Sequence, residues 1–187
     1  LLIGTGRKSI ALALAIKRLS GDKTFCVQIQ NPGLAIKKFN LVIAPNHDQL
    51  SGANVVSTLG SINRVNKNTL ISAKNDFYND LHSLPRPLIT VLLGGNNAVY
   101  RMNKRVAIQI ADKLLTISEV YKYGLAITAS PRTPTEVINV IAQRLKEKLA
   151  NNKAVLWRGK GRNPYMGYLA HADFILATSD SVNMVSE

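Results

Sequence analysis

Residues 88 to 115 read LITVLLGGNNAVYRMNKRVAIQIADKLL. Leu88 to Leu93 is a run of aliphatic and β-branched side chains directly after Pro85 and Pro87, the pattern of a strand buried on both faces of a parallel sheet. Val99, Met102, Val106, Ile110 and Leu114 recur at three- and four-residue steps, so a helix with one face on that sheet is expected to follow. Gly94 and Gly95 carry no Cβ, which lets the backbone turn tightly and approach a ligand closely. Strand, glycine turn and helix together form the geometry in which free N–H groups meet an anion, typically a phosphate.

The same alternation extends in both directions. Downstream, strands are expected at residues 125–129, 154–157 and 174–178, with helices at 137–149, 164–171 and 179–187. Thr133-Pro134-Thr135-Glu136 has the form of a capping box with proline at the first helical position, and Ser179 or Asp180 is a plausible cap for the last helix. Upstream, strands are expected at 1–4, 24–29, 40–44 and 54–58, helices at 10–19 and 71–81, and a polar, basic loop at 60–69. His82-Ser83-Leu84-Pro85-Arg86-Pro87 breaks any helix and stiffens the chain, which makes it the expected linker. The prediction is therefore α/β with parallel sheets and right-handed crossovers, divided into residues 1–84 and 85–187. Leu1 falls inside an expected strand and Glu187 inside an expected helix, so truncation at both ends is expected.

Composition narrows the class of partner. Of 187 residues 46% are hydrophobic and 19% charged, which suits a globular chain. No apolar run reaches the ~20 residues of a membrane span. Cys26 has no second cysteine to pair with and lies among apolar neighbours, which fits a core thiol in a reducing compartment and a cytoplasmic setting. His47, His82 and His171 lack metal-ligand spacing, and neither a metal nor a cofactor is expected. The formal charge is +13, with 11 basic against 4 acidic residues before Pro87 and 13 against 7 after it. Such a balance favours nucleotides, nucleic acid or an anionic membrane surface. Only 6% of residues are aromatic, too few for a base-stacking platform, so nucleic acid ranks last.

In a parallel sheet the loops at the carboxyl ends of the strands form the ligand crevice. Three such ends in the second half carry small polar or basic residues: Gly94-Gly95-Asn96-Asn97, Ser130-Pro131-Arg132, and Thr178-Ser179-Asp180-Ser181. Together they suit a nucleoside diphosphate, with Arg132 neutralising charge and Glu187 holding ribose hydroxyls. In the first half, Gly4 and Gly6 make a partial glycine fingerprint, but the second strand ends at Gln28 and Gln30 without the acidic residue a dinucleotide site needs. His47 and Asp48, after the third strand, are a candidate acid-base pair.

Seven motifs in order carry a resemblance: GTGRKS at 4–9, PNHD at 45–48, NVVSTLG at 54–60, VLLGGNNAVY at 91–100, ITASPRTP at 127–134, LWRGKGRNPYMGYLAHAD at 156–173 and TSDSVNMVSE at 178–187. They resemble the mitochondrial fission protein family, which has plant members and alphaproteobacterial members often labelled nucleoside-diphosphate-sugar epimerases. The family is similar to GT-B glycosyltransferases, which implies two Rossmann-like domains, an acceptor-side domain first and a nucleotide-sugar-binding domain second. On that resemblance Gly94, Gly95 and Asn96 match the donor loop and Asp180, Ser181, Met184 and Glu187 the donor-binding helix. Ser130 and Arg132 lie at the second strand end, and Asn163, Pro164 and Tyr165 fall at a base-side loop. Pro131 stands where the family pattern has an arginine.

Three functions are expected from these readings. The first is metal-independent glycosyl transfer from a nucleoside diphosphate sugar, with His47 or Asp48 as base; no Asp-x-Asp occurs in the chain. The second, implied by the plant members, is a non-catalytic adaptor that recruits a dynamin-like machine at the mitochondrial surface. The third is nucleoside-diphosphate-sugar epimerisation, for which Tyr100 and Lys104 have the Tyr-x-x-x-Lys spacing that places both on one helical face.

Overall fold

A computed structural model of the chain describes residues 1–150 and 152–186. It divides into two compact units, residues 1–63 with Ser186 and residues 64–185. Each is an α/β layer built on a four-stranded, wholly parallel sheet.

In the first unit, β1 (Leu2–Thr5), β2 (Cys26–Ile29), β3 (Leu41–Pro45) and β4 (Val55–Thr58) lie in chain order, and α1 (Arg7–Leu19) crosses from β1 to β2. The β2–β3 crossover is a 3₁₀ helix, Gly33–Lys38, in place of an α-helix. Asparagine amides hold the chain after it: Asn40 Oδ1 accepts from the N–H of Cys26 at the start of β2 at 2.9 Å, and Asn54 Nδ2 donates to the carbonyls of Ile36 and Phe39. The core is small, with Ala13, Cys26, Phe39, Val42 and Ala44 at its centre.

The second unit holds the long apolar stretch. Its strands are β5 (Leu88–Leu93), β6 (Gly124–Ala129), β7 (Ala154–Trp157) and β8 (Phe174–Ala177), in the spatial order β7-β6-β5-β8. Every residue of β5 and β6 is buried, as the unbroken apolar runs predict for central strands covered on both faces. Ile89, Val91, Leu93, Leu125 and Ile127 pack on one face under α4 (Lys104–Val120) and α5 (Thr135–Lys148). Leu88 and Ala126 face the other way, against Phe77, Leu81, Leu84 and Tyr168. A fully buried leucine such as Leu88, Leu92 or Leu93 contributes about 1.5–3 kcal/mol.

The division falls earlier than the break expected at 84/85. Helices α2 (Lys67–Asp76) and α3 (Tyr78–Leu81) belong to the second unit because Ala73, Phe77, Leu81 and Leu84 are buried there. They lie beside α6 (Tyr165–His171), where the absent side chain of Gly167 leaves room for the Phe77 ring. The prolines at 85 and 87 therefore lead into β5 and do not separate the units. The helix expected at 71–81 starts at Lys67, because the Asn66 side chain accepts from Thr69 N–H and the Thr69 hydroxyl accepts from Asn66 N–H, a reciprocal cap inside the segment expected to be loop.

Candidate functional site

The three polar strand ends singled out in the second half come together at one edge of the second sheet. Gly95 N–H donates to Asp180 Oδ2 at 2.7 Å, and Gly94 N–H donates to the Thr178 hydroxyl at 2.8 Å. Asn97 Nδ2 donates to the Asp180 carbonyl at 2.8 Å, so the turn after β5 is stitched to the turn after β8. On the other flank Asn96 N–H donates to the Arg132 carbonyl at 3.3 Å, and the Thr133 hydroxyl donates to the carbonyls of Leu93 and Gly94. Ser130 N–H donates in turn to Thr133 Oγ1, and Arg132 N–H to Ser130 Oγ.

The two glycines are explained by this convergence. A Cβ on Gly94 would run into the Asp180 carboxylate, and one on Gly95 into the carbonyl of Arg132. Both residues are buried, so the close approach expected toward a ligand is made toward the neighbouring turns. Thr133, which local sequence presents only as part of a capping box, is the central residue of this network. That box does not form: α5 starts at Thr135 with Pro134 at its N-cap, because the Thr133 hydroxyl is drawn to the ends of β5 and β6. The carboxylate of Asp180, expected as a cap for the last helix, α7 (Val182–Ser186), turns inward to Gly95 and Thr178.

The helix after the glycine turn also begins later than its apolar spacing suggests. Asn97 Oδ1 accepts from the N–H groups of Val99 and Tyr100, and Asn96 Oδ1 accepts from Met102 N–H at 2.7 Å. These asparagine turns hold the backbone outside the helix until Asn103, whose side chain caps α4 through Val106 N–H. Val99 is 80% exposed and Tyr100 precedes the helix, so Tyr100 and Lys104 do not share a helical face. The N–H groups of Gly94, Gly95, Asn96 and Asn97 are all bonded within the protein.

Exposed basic residues lie in the loops that leave this end of the sheet. Arg132 is exposed between the buried Ser130 and Thr133, and Arg101 is exposed in the β5–α4 loop. Neither has an ion-pair partner among the described residues. After β7 the exposed loop Arg158-Gly159-Lys160-Gly161-Arg162 adds further positive charge. Arg162 is committed elsewhere, pairing with Asp76 at 2.5 Å and lying over the Phe77 ring. Asn163 Oδ1 accepts from the N–H of Tyr165, the first residue of α6, at 3.0 Å. Ser181 is buried and Met184 half-buried; Glu187 lies outside the described residues.

At the strand ends of the first unit, Gln28 fills the partial glycine fingerprint. It is fully buried, its amide donating to the carbonyls of Gly6 and Ile29 and accepting from the Ser9 hydroxyl. His47 and Asp48 form a 3₁₀ turn after β3, with His47 Nε2 3.8 Å from Asp48 Oδ1, an ion-pair separation and not a hydrogen bond. At the opposite, amino end of the second sheet, Asp173 accepts from Leu88 N–H at 2.7 Å and from Arg86 at 2.8 Å. Those two donors hold its carboxyl below the usual range. Burial pushes the Tyr168 hydroxyl up to about 12, with the charge of Asp80 adding to the shift.

The family model described as "Mitochondrial fission ELM1" matches residues 1–187. The mitochondrial fission protein ELM1 of Arabidopsis thaliana is 31% identical over 210 residues, covering all of this chain and 48% of that protein. The uncharacterized protein RP120 of Rickettsia prowazekii is 25% identical over 220 residues, covering all of this chain and 61% of that one. The chain thus spans about half to three-fifths of the length of these relatives. Among solved structures, UDP-GlcNAc 2-epimerase from Methanocaldococcus jannaschii superposes with a TM-score of 0.58 at 16% identity, over 95% of this chain and 55% of that one. That likeness shows a GT-B-like fold. No helix among the described residues is long and apolar enough to cross a membrane.

Proposed function

The chain belongs to the mitochondrial fission ELM1 family, and from that premise we propose that its second unit binds a nucleoside diphosphate sugar at the carboxyl edge of β5, β6 and β8. The observation that carries this reading is the convergence of three strand-end turns, one of which carries the exposed Arg132, a residue with no ion-pair partner among the described residues. A diphosphate carries the complementary charge, and Arg101 and the basic loop after β7 reinforce the field around it. Ser130, Ser181 and Met184 line the approach in this reading, and Asn163 and Tyr165 flank the base.

For glycosyl transfer the bond from the anomeric carbon to the diphosphate oxygen breaks as the acceptor oxygen bonds to that carbon. The electron pair leaves on the nucleoside diphosphate, where Arg132 stabilises the growing negative charge. The acceptor hydroxyl proton passes to a base, for which His47 or Asp48 is proposed. The fold neighbour is an epimerase. A Tyr-Lys pair of the kind weighed from the sequence does not support that reaction here, because Tyr100 stands before the helix that carries Lys104. Calorimetric titration of the full chain with UDP, GDP, ADP and their sugar conjugates tests the binding. Saturable heat with at least one of them is expected, and silence with all of them removes the proposal.

A second reading rests on charge. A formal +13 and a relative named as a mitochondrial fission protein favour an adaptor held to an anionic membrane surface. Flotation with vesicles containing phosphatidylserine should carry the protein upward at low salt and release it at high salt. Equal recovery with neutral vesicles would sink this reading.

A further inference from the structure

Asp180 has the wrong charge for the site in which it sits. The residue is only 9% exposed, lies at the edge proposed to receive a diphosphate, and has no ion-pair partner among the described residues. A buried carboxylate without a countercharge costs free energy, and against a phosphate it would add repulsion. Its oxygens are directed inward. Oδ2 accepts from Gly95 N–H at 2.7 Å, and Oδ1 accepts from the Thr178 hydroxyl at 2.6 Å, which itself accepts from Gly94 N–H at 2.8 Å. The Asp180 carbonyl takes the Asn97 amide. One residue thereby fixes both glycines and the first anchor of the following loop.

The connection continues to Arg132 without a gap. Gly95, held by Asp180 on one side, lies against the Arg132 carbonyl on the other, and Asn96 N–H bonds to that same carbonyl. Thr133, the next residue, bonds to Leu93 and Gly94. The peptide that carries the Arg132 guanidinium therefore rests on a turn whose position Asp180 sets.

We propose that Asp180 is a positioning residue: its carboxylate locks the Gly94–Gly95 turn to the end of β8 and so places Arg132 and Asn96 for a diphosphate that Asp180 itself does not touch. This inference rests on the diphosphate reading above. It differs from the donor-contacting role that the family resemblance implies for Asp180, and it makes recognition of the diphosphate a matter of side-chain cations, because the glycine-turn amides already have acceptors within the protein.

The test is calorimetric titration of the full chain with UDP and with inorganic pyrophosphate, for the unaltered protein, Asp180→Asn, Arg132→Gln and the double variant. Asn keeps the shape of the side chain but replaces one acceptor oxygen with a donor. Asp180→Asn is expected to weaken both ligands about tenfold, and the double variant should bind no worse than the weaker single one, since both act through the same guanidinium. A merely structural loss would instead add to that of Arg132→Gln. Electrostatics alone predicts the opposite sign for Asp180→Asn, because removing a negative charge near an anion tightens binding. Unchanged or tighter binding in this variant therefore overturns the inference while leaving the diphosphate reading intact. Full additivity in the double variant overturns it as well. If the unaltered protein binds neither UDP nor pyrophosphate, the inference falls, and the diphosphate reading falls with it when GDP, ADP and the sugar conjugates are silent as well. Should Asp180→Asn fail to fold, Thr178→Val removes the bridge to Gly94 and keeps the carboxylate; weakened binding supports the proposal and unchanged binding overturns it.

Discussion

Gly94, Gly95 and Thr133 show how much one atom decides at the strand ends. The glycines stand out in the sequence as a turn, but their necessity comes from the Asp180 carboxylate and the Arg132 carbonyl, which occupy the space that Cβ atoms would fill. Thr133 is legible only as a helix-cap residue, because nothing in local sequence reports the Leu93 and Gly94 carbonyls, 40 and 39 residues away, that capture its hydroxyl. Tyr168 gives a test at this scale. An unfolded tyrosine ionises near its ordinary value of 10.0, whereas Tyr168 is held protonated to about 12, first by burial and then by Asp80. The stability tied to the neutral hydroxyl is whole below the lower value and is lost as pH climbs toward the higher one. Tyrosinate absorbance followed against pH should show one of the six tyrosines ionising late, together with loss of circular dichroism. Six tyrosines titrating together in a still folded protein would contradict it.

Helix boundaries are where local sequence competed with itself. The spacing of Val99, Met102 and Val106 fits a helix, yet Asn96 and Asn97 take the backbone amides first and delay α4 to Lys104. The reverse occurs at α2, where the reciprocal Asn66–Thr69 cap starts a helix within a polar segment. Both signals were present in the sequence, as asparagines at turn and cap positions, and apolar periodicity alone passed over them. Asn66→Ala is expected to cost about 1 kcal/mol, the usual worth of such a cap. Urea unfolding followed by helical dichroism measures it; a change within a few tenths of a kcal/mol would mean that tertiary packing, not the cap, sets the start of α2.

At the scale of the molecule, the placement of α2 and α3 decides where one unit ends. Phe77, Leu81 and Leu84 cover Leu88, Ala126 and Tyr168, so the second unit needs them as part of its core. A fragment of residues 64–185 should therefore unfold cooperatively on heating, whereas one starting at residue 85 should bind a hydrophobic dye and melt without a sharp transition. Two equally cooperative fragments would restore the boundary to the prolines.

By itself the sequence determined the α/β class, the parallel strands and the three strand ends that meet: apolar runs, helical periodicity and strand-terminal glycines are local consequences of burial and backbone sterics. Only the tertiary structure decided that the amides of the glycine turn bond inward, that Asp180 belongs to that turn, and that residues 64–84 serve the second sheet. The reason is common to all three. Each depends on which distant group reaches a given donor, Cβ-free space or apolar face first, and spacing along the chain carries no record of that competition.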